Sequence, residues 1–186
     1  MLTKTKQSWL VAGIVVLALV LDQVSKIYIK THFQVGEARE VFSWFWIVFV
    51  ENNGMAFGIE WFSKLLLTLF RIVAVGAIGW YIHTLIHKQT VRTGYLVTIA
   101  MVMAGAMGNI IDCVFYGKIW EYAGWFHGRV VDMLYFPLIR NAAGECLFFR
   151  PVFNIADSFI TVAVFLIIIF YRKDLDASLS GIGKDK

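Results

Sequence analysis

Four long apolar stretches dominate this chain and restrict it to folds that cross a membrane. They run over about residues 8–29, 64–86, 93–113 and 153–171, and each is long enough to span the hydrocarbon core as an α-helix. Hydrophobic residues make up 59% of the 186 positions and charged residues only 16%, unlike a soluble domain. We therefore predict a single integral membrane domain, residues 1–186, built on four transmembrane helices.

The first apolar stretch has two interpretations. Lys4 and Lys6 precede it, as positive residues precede the apolar core of a secretory signal peptide. However, no small-x-small cleavage pattern follows, and the apolar character continues to Ile29. We therefore predict a retained first span.

Two extramembrane regions, 31–62 and 114–152, separate the spans, and a polar tail follows at 172–186. Residues 41–50 are rich in aromatic and β-branched types but too few for a membrane-crossing helix, so we predict a strand. Asn53-Gly54 then indicates a turn. The aromatic residues of both regions are typical of a membrane interface. The tail is expected to be flexible and without chemistry.

The positive charges give the orientation of the spans. Lys and Arg residues near the termini and the short loop equal in number those on the opposite side, but they occupy much shorter segments. This density favours cytoplasmic termini, with regions 31–62 and 114–152 outside the cytoplasm.

A repeated Asn-Ile-x-Asp pattern is the main indication of function. Asn154 and Asp157 begin the fourth apolar stretch, where helix capping alone would explain them. Asn109 and Asp112 end the third, where the helix dipole disfavours an anion, so capping does not explain the second copy. Carboxylates at a membrane edge are costly and usually functional. The predicted spans bring seven polar residues to one membrane face: Asp22, Asn52, Asn109, Asp112, Asp132, Asn154 and Asp157.

Ordinary structural explanations remain open for several of these residues. Asp22 and Lys26 have the spacing of a helix salt bridge, which does not exclude a role in a site. Asn52 suits a turn. Asp132 could be a solvated loop aspartate, although Val-Val precedes it and Met-Leu follows it.

Other kinds of site find little support. His83 and His87 have the spacing of metal ligands, but no acidic residue accompanies them, so we predict that they are interface residues and bind no metal. Ser25 and Lys26 are adjacent and point to different sides of a helix, which argues against a Ser/Lys dyad. A dispersed net charge of +4 does not indicate nucleic-acid binding. No HExxH, GxSxG, P-loop or dinucleotide motif is present.

Paired carboxylates suit the hydrolysis of an amide by activated water. One ionised aspartate takes a proton from water, while the other, kept protonated by its neighbour's charge, donates to the carbonyl oxygen. The repeated pattern by itself points to Asp112 and Asp157. The alternative class is an ion or proton translocator, but its carboxylates would step through the bilayer rather than gather at one face.

These residues together resemble the lipoprotein signal peptidase (signal peptidase II) family along nearly the whole chain. Five blocks carry the resemblance: Leu21-Asp-Gln-Val-Ser-Lys26, Asn52-Asn-Gly-Met-Ala-Phe57, Gly105-Ala-Met-Gly-Asn-Ile-Ile-Asp112, Val130-Val-Asp-Met133 and Phe153-Asn-Ile-Ala-Asp157. The resemblance implies a four-helix aspartic peptidase of the bacterial inner membrane with a small extracytoplasmic β-cradle. It implies cytoplasmic termini and an active site at the extracytoplasmic face. The implied substrates are diacylglyceryl-modified prolipoproteins, cut before the lipidated cysteine. Contact with membrane lipids, inhibition by globomycin and the absence of a cofactor are also implied, and we expect a monomer.

By position, the resemblance makes Asp132 and Asp157 the catalytic pair, with Asp112 in a supporting role. The positions that match supporting residues of the family are Asp22, Lys26, Asn52, Gly54, Asn109, Asp112, Asn154 and Ala156.

The chain departs from the family at Cys113, where an arginine usually follows the aspartate. Asp112 then needs another positive partner, and the charge could come from Arg71, Arg129 or Arg140. We predict Arg140, with Arg129 as the second choice. The competing hypothesis is a disulfide between Cys113 and Cys146, although their spacing favours two thiols.

Overall fold

The computed structural model describes residues 2–53, 62–88, 91–140, 146–148 and 151–182, without the side chains of 62–63, 139–140, 146–148 and 181–182. The helices are α1 Lys4–His32, α2 Phe62–Lys88, α3 Thr93–Ile111, α4 Gly117–Ile119, α5 Ile155–Phe170 and α6 Arg172–Ile182, with a π-helical turn at Asp112–Tyr116. The strands are β1 Ala38–Phe42, β2 Phe45–Asn52, β3 Val130–Tyr135, β4 Ile139–Arg140, β5 Cys146–Phe148 and β6 Val152–Phe153. The predicted helical membrane fold with a small sheet is confirmed.

Three described helices are long and apolar enough to cross a membrane: Lys4–His32, Lys64–Lys88 and Thr93–Ile119. The predicted fourth span corresponds to α5, which has only 16 residues and ends before an 85° bend into α6. By length and composition there are therefore three spans, or four if the bent pair counts as one.

Residues 172–182 of the polar tail form a helix, which corrects the expectation of a flexible segment for that part. Asp174, in the first turn of α6, accepts hydrogen bonds from the backbone N–H of Arg92 at 2.9 Å and from its guanidinium Nε at 2.8 Å. Arg92 Nη2 also donates to the carbonyl oxygen of Phe170 at 2.6 Å, which satisfies one carbonyl at the end of α5. These contacts join residues 82 and 78 positions apart and hold the start of α6, so the spacing of residues within the tail does not indicate them.

The chain forms two compact units, and the first comprises residues 1–20, 69–108 and 156–186. In this unit α3 and α5 approach closely at Gly105, where an added Cβ would meet the carbonyl oxygen of Ala156. Small residues allow helix backbones to come together in this way. Its buried apolar core consists of Val11, Val15, Ala18, Ile82, Leu85, Ile86, Val91, Tyr95, Leu96, Ile99, Ala100 and Ala104.

The second unit comprises residues 21–68 and 109–155 and contains an antiparallel sheet with strand order β1-β2-β3-β6. The strand predicted over 41–50 is confirmed as β2, but residues 41–42 belong to β1, because a turn at Ser43-Trp44 makes a hairpin of the stretch. The sheet covers a core of Ile29, Phe33, Phe49, Tyr116, Val131 and Met133. Asp132 lies between two of these core residues on β3, and this holds its backbone rigidly.

Candidate active site

Asp132 is a buried acid of the second unit, with 2% of its surface exposed. Pairing of β2 with β3 sets it opposite Val50, so that Asn52, two residues further along β2, lies on the same face of the sheet. Asn52 Nδ2 donates to Asp132 Oδ2 at 3.0 Å, and Asn154 Nδ2 donates to Oδ1 at 2.7 Å. Both carboxylate oxygens therefore accept a hydrogen bond from an amide N–H.

Lys26 is fully buried on α1 and joins three polar partners. Its Nζ lies 2.9 Å from Asp22 Oδ2, 2.8 Å from Asp112 Oδ2 and 3.0 Å from Asn109 Oδ1. The predicted salt bridge with Asp22 is confirmed, but it is one part of a larger cluster. Removing one partner of a buried ion pair typically costs about 3–5 kcal/mol, so each residue of this cluster constrains the others.

Sequence reasoning missed Gln23, which connects the two acids of the cluster. Its Nε2 donates to Asp112 Oδ1 at 3.0 Å and to Asp22 Oδ2 at 3.1 Å, while its Oε1 accepts from the Tyr116 hydroxyl at 3.1 Å. Gln23 precedes Lys26 by three residues, so both lie on one face of α1. That spacing is the signal that would have indicated it.

The positive partner of Asp112 in the described residues is Lys26, and the expectation of Arg140 stays a prediction. In the described residues the ion pair of Asp112 is with Lys26, while Arg129 pairs with Glu51 at 2.9 Å. Helix spacing indicates Lys26 as a partner for Asp22 but gives no information on contacts between helices. The side chain of Arg140 lies outside the description.

Cys113 is buried in the π-helical turn, and the side chain of Cys146 lies outside the described part of the chain, so the competing hypothesis of a disulfide is not tested.

Two further predicted residues, Ala156 and Asp157, belong to the first unit. Asp157 occupies the first turn of α5, where the helix dipole favours an anion by about 0.3–1 kcal/mol. Ala156, which precedes it, is buried with 1% of its surface exposed. Gly54 falls outside the described residues. The second unit thus brings together seven of the predicted residues: Asp22, Lys26, Asn52, Asn109, Asp112, Asp132 and Asn154.

A second ion cluster, also missed from sequence, surrounds Glu51. Lys30 Nζ lies 2.5 Å from Glu51 Oε1, and Arg129 Nη1 lies 2.9 Å from Oε2. The Lys30 ammonium is also 5.2 Å from the ring centroid of Trp120 and 5.1 Å from that of Tyr122, within the range of cation–π attraction. Through these contacts the cluster connects the loop after α4 with the end of α1 and with β2.

The Glu51 cluster should make stability depend on pH. Burial alone would raise the pKa of the Glu51 carboxyl, but the hydrogen bonds and charges of Lys30 and Arg129 together lower it below its usual value of 4.5. A lowered pKa stabilises the fold above pH 4.5, and this contribution disappears as pH falls through the folded-state pKa. Glu51→Gln should therefore lower Tm at neutral pH, and the difference from wild type should shrink below pH 4.5.

The control for that measurement is Glu121→Gln, which alters an exposed carboxyl in the same region. Its Tm should follow the wild type at every pH. A Glu51→Gln difference that stays constant with pH would contradict the proposed ionic origin of the stabilisation.

Comparisons with known proteins agree on one family. A family model described as "Signal peptidase (SPase) II" matches residues 14–172. A lipoprotein signal peptidase of Porphyromonas gingivalis is 42% identical over 204 aligned positions, which cover 97% of this chain and 90% of the relative. One from Amoebophilus asiaticus is 36% identical, with 92% and 81% covered. A bacterial membrane enzyme solved by the in meso method at 2.3 Å resolution has a TM-score of 0.65 and 30% identity, with 95% and 92% covered.

Proposed function

This chain belongs to the signal peptidase II family of lipoprotein signal peptidases, and from that premise we propose that it cleaves prolipoproteins with a pair of aspartates, Asp132 and Asp157. The family processes prolipoproteins, so the chain is a protease of the membrane. The observation that carries the assignment of Asp132 is its position: a buried carboxylate on a rigid strand with an amide donor at each oxygen. Asp157 comes from the family resemblance and from its place three residues after Asn154.

The proposed reaction uses the two carboxyl groups as base and acid. The ionised aspartate takes a proton from water, and the resulting hydroxide attacks the carbonyl carbon of the scissile amide. The protonated aspartate gives its proton to the carbonyl oxygen, which yields a gem-diol. When the C–N bond breaks, the first carboxyl returns its proton to the leaving nitrogen, and the second regains one from a gem-diol hydroxyl. Both aspartates then have their starting protonation states.

Asn52 and Asn154 serve this reaction by holding Asp132 in place. Each donates one hydrogen bond to a different oxygen, which fixes the plane of the carboxylate as well as its position. Catalysis by proton transfer requires heavy atoms within hydrogen-bond distance, so a fixed plane matters. Asn109 supports Asn154 in turn, because its Oδ1 accepts from Asn154 Nδ2 at 3.1 Å.

The proposed substrate carries a diacylglyceryl group on the cysteine that follows the cut. A row of stacked aromatic rings in the second unit supports this proposal. Trp44 and Phe136 stack with ring centroids 6.1 Å apart, and Phe136 stacks with Phe153 at 5.6 Å. Phe153 directly precedes Asn154, and Trp44 is 51% exposed, so an open apolar surface leads toward the amide that holds Asp132. Acyl chains and membrane interfaces both suit such a surface.

The proposed setting is the bacterial inner membrane, with cytoplasmic termini and the site at the extracytoplasmic face. A monomer is sufficient for the proposed site, because one chain supplies both aspartates. We also propose that globomycin-type inhibitors bind here in competition with the lipid-modified substrate.

The decisive experiment compares a precursor with and without its diacylglyceryl group, using purified enzyme in mixed micelles. Each buried CH₂ contributes about 0.8 kcal/mol, so burial of only four gives a preference of more than about a hundredfold in kcat/KM. Globomycin should inhibit cleavage of the lipidated precursor. Equal rates for the two precursors would contradict the proposed specificity.

A further inference from the structure

The first unit has an excess of positive charge at the end that carries α6. Hydrogen bonds bring four helices together there. Gln7 of α1 donates to Thr93 of α3 at 3.4 Å, and the hydroxyl groups of Tyr81 on α2 and Ser178 on α6 bond to each other. The helix ends that meet here carry more basic than acidic residues, namely Lys4, Lys6, Lys88, Arg92, Arg172 and Lys173 against Asp174 and Asp176.

A cavity of about 330 Å³ opens at this end of the unit, and it is lined by Arg92, Lys173, Asp174 and Ala177. Its volume falls in the range of small-molecule sites, about 300–1,000 Å³. Asp174 is already paired with Arg92 at 2.6 Å. Two cations and one carboxylate leave the lining with a net charge of +1 when all are ionised, so the cavity attracts an anion.

Arg92 has hydrogen-bond donors left for a ligand. A guanidinium carries five N–H groups, and the Nε and Nη2 groups of Arg92 donate to Asp174 and to the carbonyl oxygen of Phe170. The N–H groups of Nη1 have no hydrogen-bond partner among the described residues, and the side chain is 60% exposed. The ring of Tyr171 covers one face of the guanidinium, with its centroid 4.8 Å from Cζ. The Nη1 edge is therefore the part of Arg92 that a ligand can reach.

Lys173 supplies the second set of donors. Its ammonium forms no hydrogen bond or ion pair within the part of the chain that the structure describes. Arginine and lysine are the side chains that proteins commonly use to bind phosphate groups. A phosphodiester carries a single negative charge, which would neutralise the net charge of the lining.

The end of α5 indicates that the ligand also has an apolar part. Its last two residues, Ile169 and Phe170, are 64% and 61% exposed. Because the carbonyl oxygen of Phe170 accepts from Arg92, this apolar surface lies beside a cation of the cavity. The chain then bends by 85° into α6, so that α6 runs across the end of an apolar helix, as helices do at a membrane surface. An acyl chain joined to an anionic headgroup matches both surfaces.

We propose that this cavity binds the phosphodiester headgroup of an anionic membrane phospholipid. Arg92 Nη1 and Lys173 donate to the phosphate, and an acyl chain lies along Ile169 and Phe170. Basic pockets beside membrane helices are suited to such headgroups. A basic peptide segment, such as the one that begins a signal peptide, is repelled by the same charges.

The test is a titration of the purified enzyme, in a neutral detergent, with short-chain phosphatidylglycerol. A ligand that binds only the folded state raises Tm as its concentration increases. Phosphatidylglycerol should give a saturable rise in Tm, whereas phosphatidylcholine of the same chain length and inorganic phosphate should not. An equal rise with phosphatidylcholine would show that the headgroup charge is not recognised. An equal rise with inorganic phosphate would show a site for free phosphate. Either result would overturn the proposal.

Two variants locate the site. Lys173→Gln should weaken the apparent Kd for phosphatidylglycerol about tenfold, because it removes one charge-assisted hydrogen bond. Ala177→Phe fills the cavity without changing any charge and should abolish the saturable rise. The matched control is Arg172→Gln, which removes a positive charge from the neighbouring exposed position, outside the lining. It should bind phosphatidylglycerol as the wild type does. If it loses as much affinity as Lys173→Gln, the lipid responds to diffuse surface charge and the proposed site is wrong.

This measurement is independent of the proposed function, because it contains no substrate. Asp157→Asn should bind phosphatidylglycerol as the wild type does, whether or not it cleaves a precursor. A short basic peptide that raises Tm in the wild type but not in Ala177→Phe would identify a peptide site and would also overturn the proposal.

Discussion

Asp132→Asn and Asp157→Asn are each expected to lower prolipoprotein cleavage by about 10³-fold or more, while the protein still inserts and purifies as the wild type does. Proton transfer by a positioned side chain typically contributes 10²- to 10⁴-fold, and an amide can neither accept nor supply that proton. The amide has nearly the size of the carboxyl group. At Asp132, however, the new NH₂ group replaces one of the two oxygens and faces the N–H donor of either Asn52 or Asn154, so some loss of stability is also expected there.

The measurement is single-turnover cleavage of a lipid-modified precursor, with Tm recorded for each variant. Asp176→Asn is a suitable control, because Asp176 is an exposed aspartate of α6 and takes no part in the proposed site. It should cleave at the wild-type rate. Substantial turnover by either of the two dyad variants would refute the assignment of that residue.

The spans and the strand could be predicted because each depends on residues close together in sequence. Long apolar stretches determine α1, α2 and α3, and dense aromatic and β-branched residues determine β2. The order of α6 could not be predicted in this way. Leu175, Leu179 and Ile182 do have helical spacing, but the docking of this helix depends on a contact between Asp174 and Arg92, which are 82 positions apart, and local spacing gives no sign of that contact.

In the candidate site, too, residue types could be predicted from the local sequence, whereas contacts between distant residues could not. The residue types and the repeated Asn-Ile-x-Asp pattern indicated six of the residues that meet in the second unit, and the family resemblance added Lys26. The pattern alone favoured Asp112 as a catalytic acid, whereas the structure places it in an ion pair with Lys26 and in a hydrogen bond with the backbone N–H of Val131 at 3.2 Å. Those bonds suit a supporting role. Family membership also favours a peptidase over the ion translocator considered from sequence.

Cys113 illustrates why a departure from a family pattern needs a structure. Its thiol cannot supply the positive charge that an arginine would give. In the described residues the positive charge beside Asp112 comes from Lys26, which lies 86 positions before Asp112 in the sequence. Gln23 is a second hydrogen-bond donor to Asp112. A positive partner for Asp112 was therefore correctly expected, but the helix that supplies it could not be read from the local sequence.

Gly105→Ala is expected to damage both stability and activity. A Cβ at this position would collide with the carbonyl oxygen of Ala156 and lie 2.6 Å from Ile160 Cγ1, so α5 must move away from α3. The oxygen belongs to backbone and cannot move aside as a flexible side chain could. Overpacking of this kind typically costs about 1–3 kcal/mol in the free energy of unfolding.

The loss of activity should exceed what this loss of stability explains. Ala156 directly precedes Asp157, so a shift in the first turn of α5 carries the proposed catalytic carboxyl with it. A misplacement of about 1 Å can lower a rate about a hundredfold, and kcat/KM should fall by that order in protein that is still folded.

Gly76→Ala is the matched control, since a Cβ at Gly76 on α2 meets nothing within 4 Å. Its activity should equal the wild type, and its stability should be unchanged or slightly higher, because alanine favours a helix more than glycine does. If folded Gly105→Ala cleaves at the wild-type rate, the first turn of α5 does not position a catalytic group, and Asp157 loses its place in the pair.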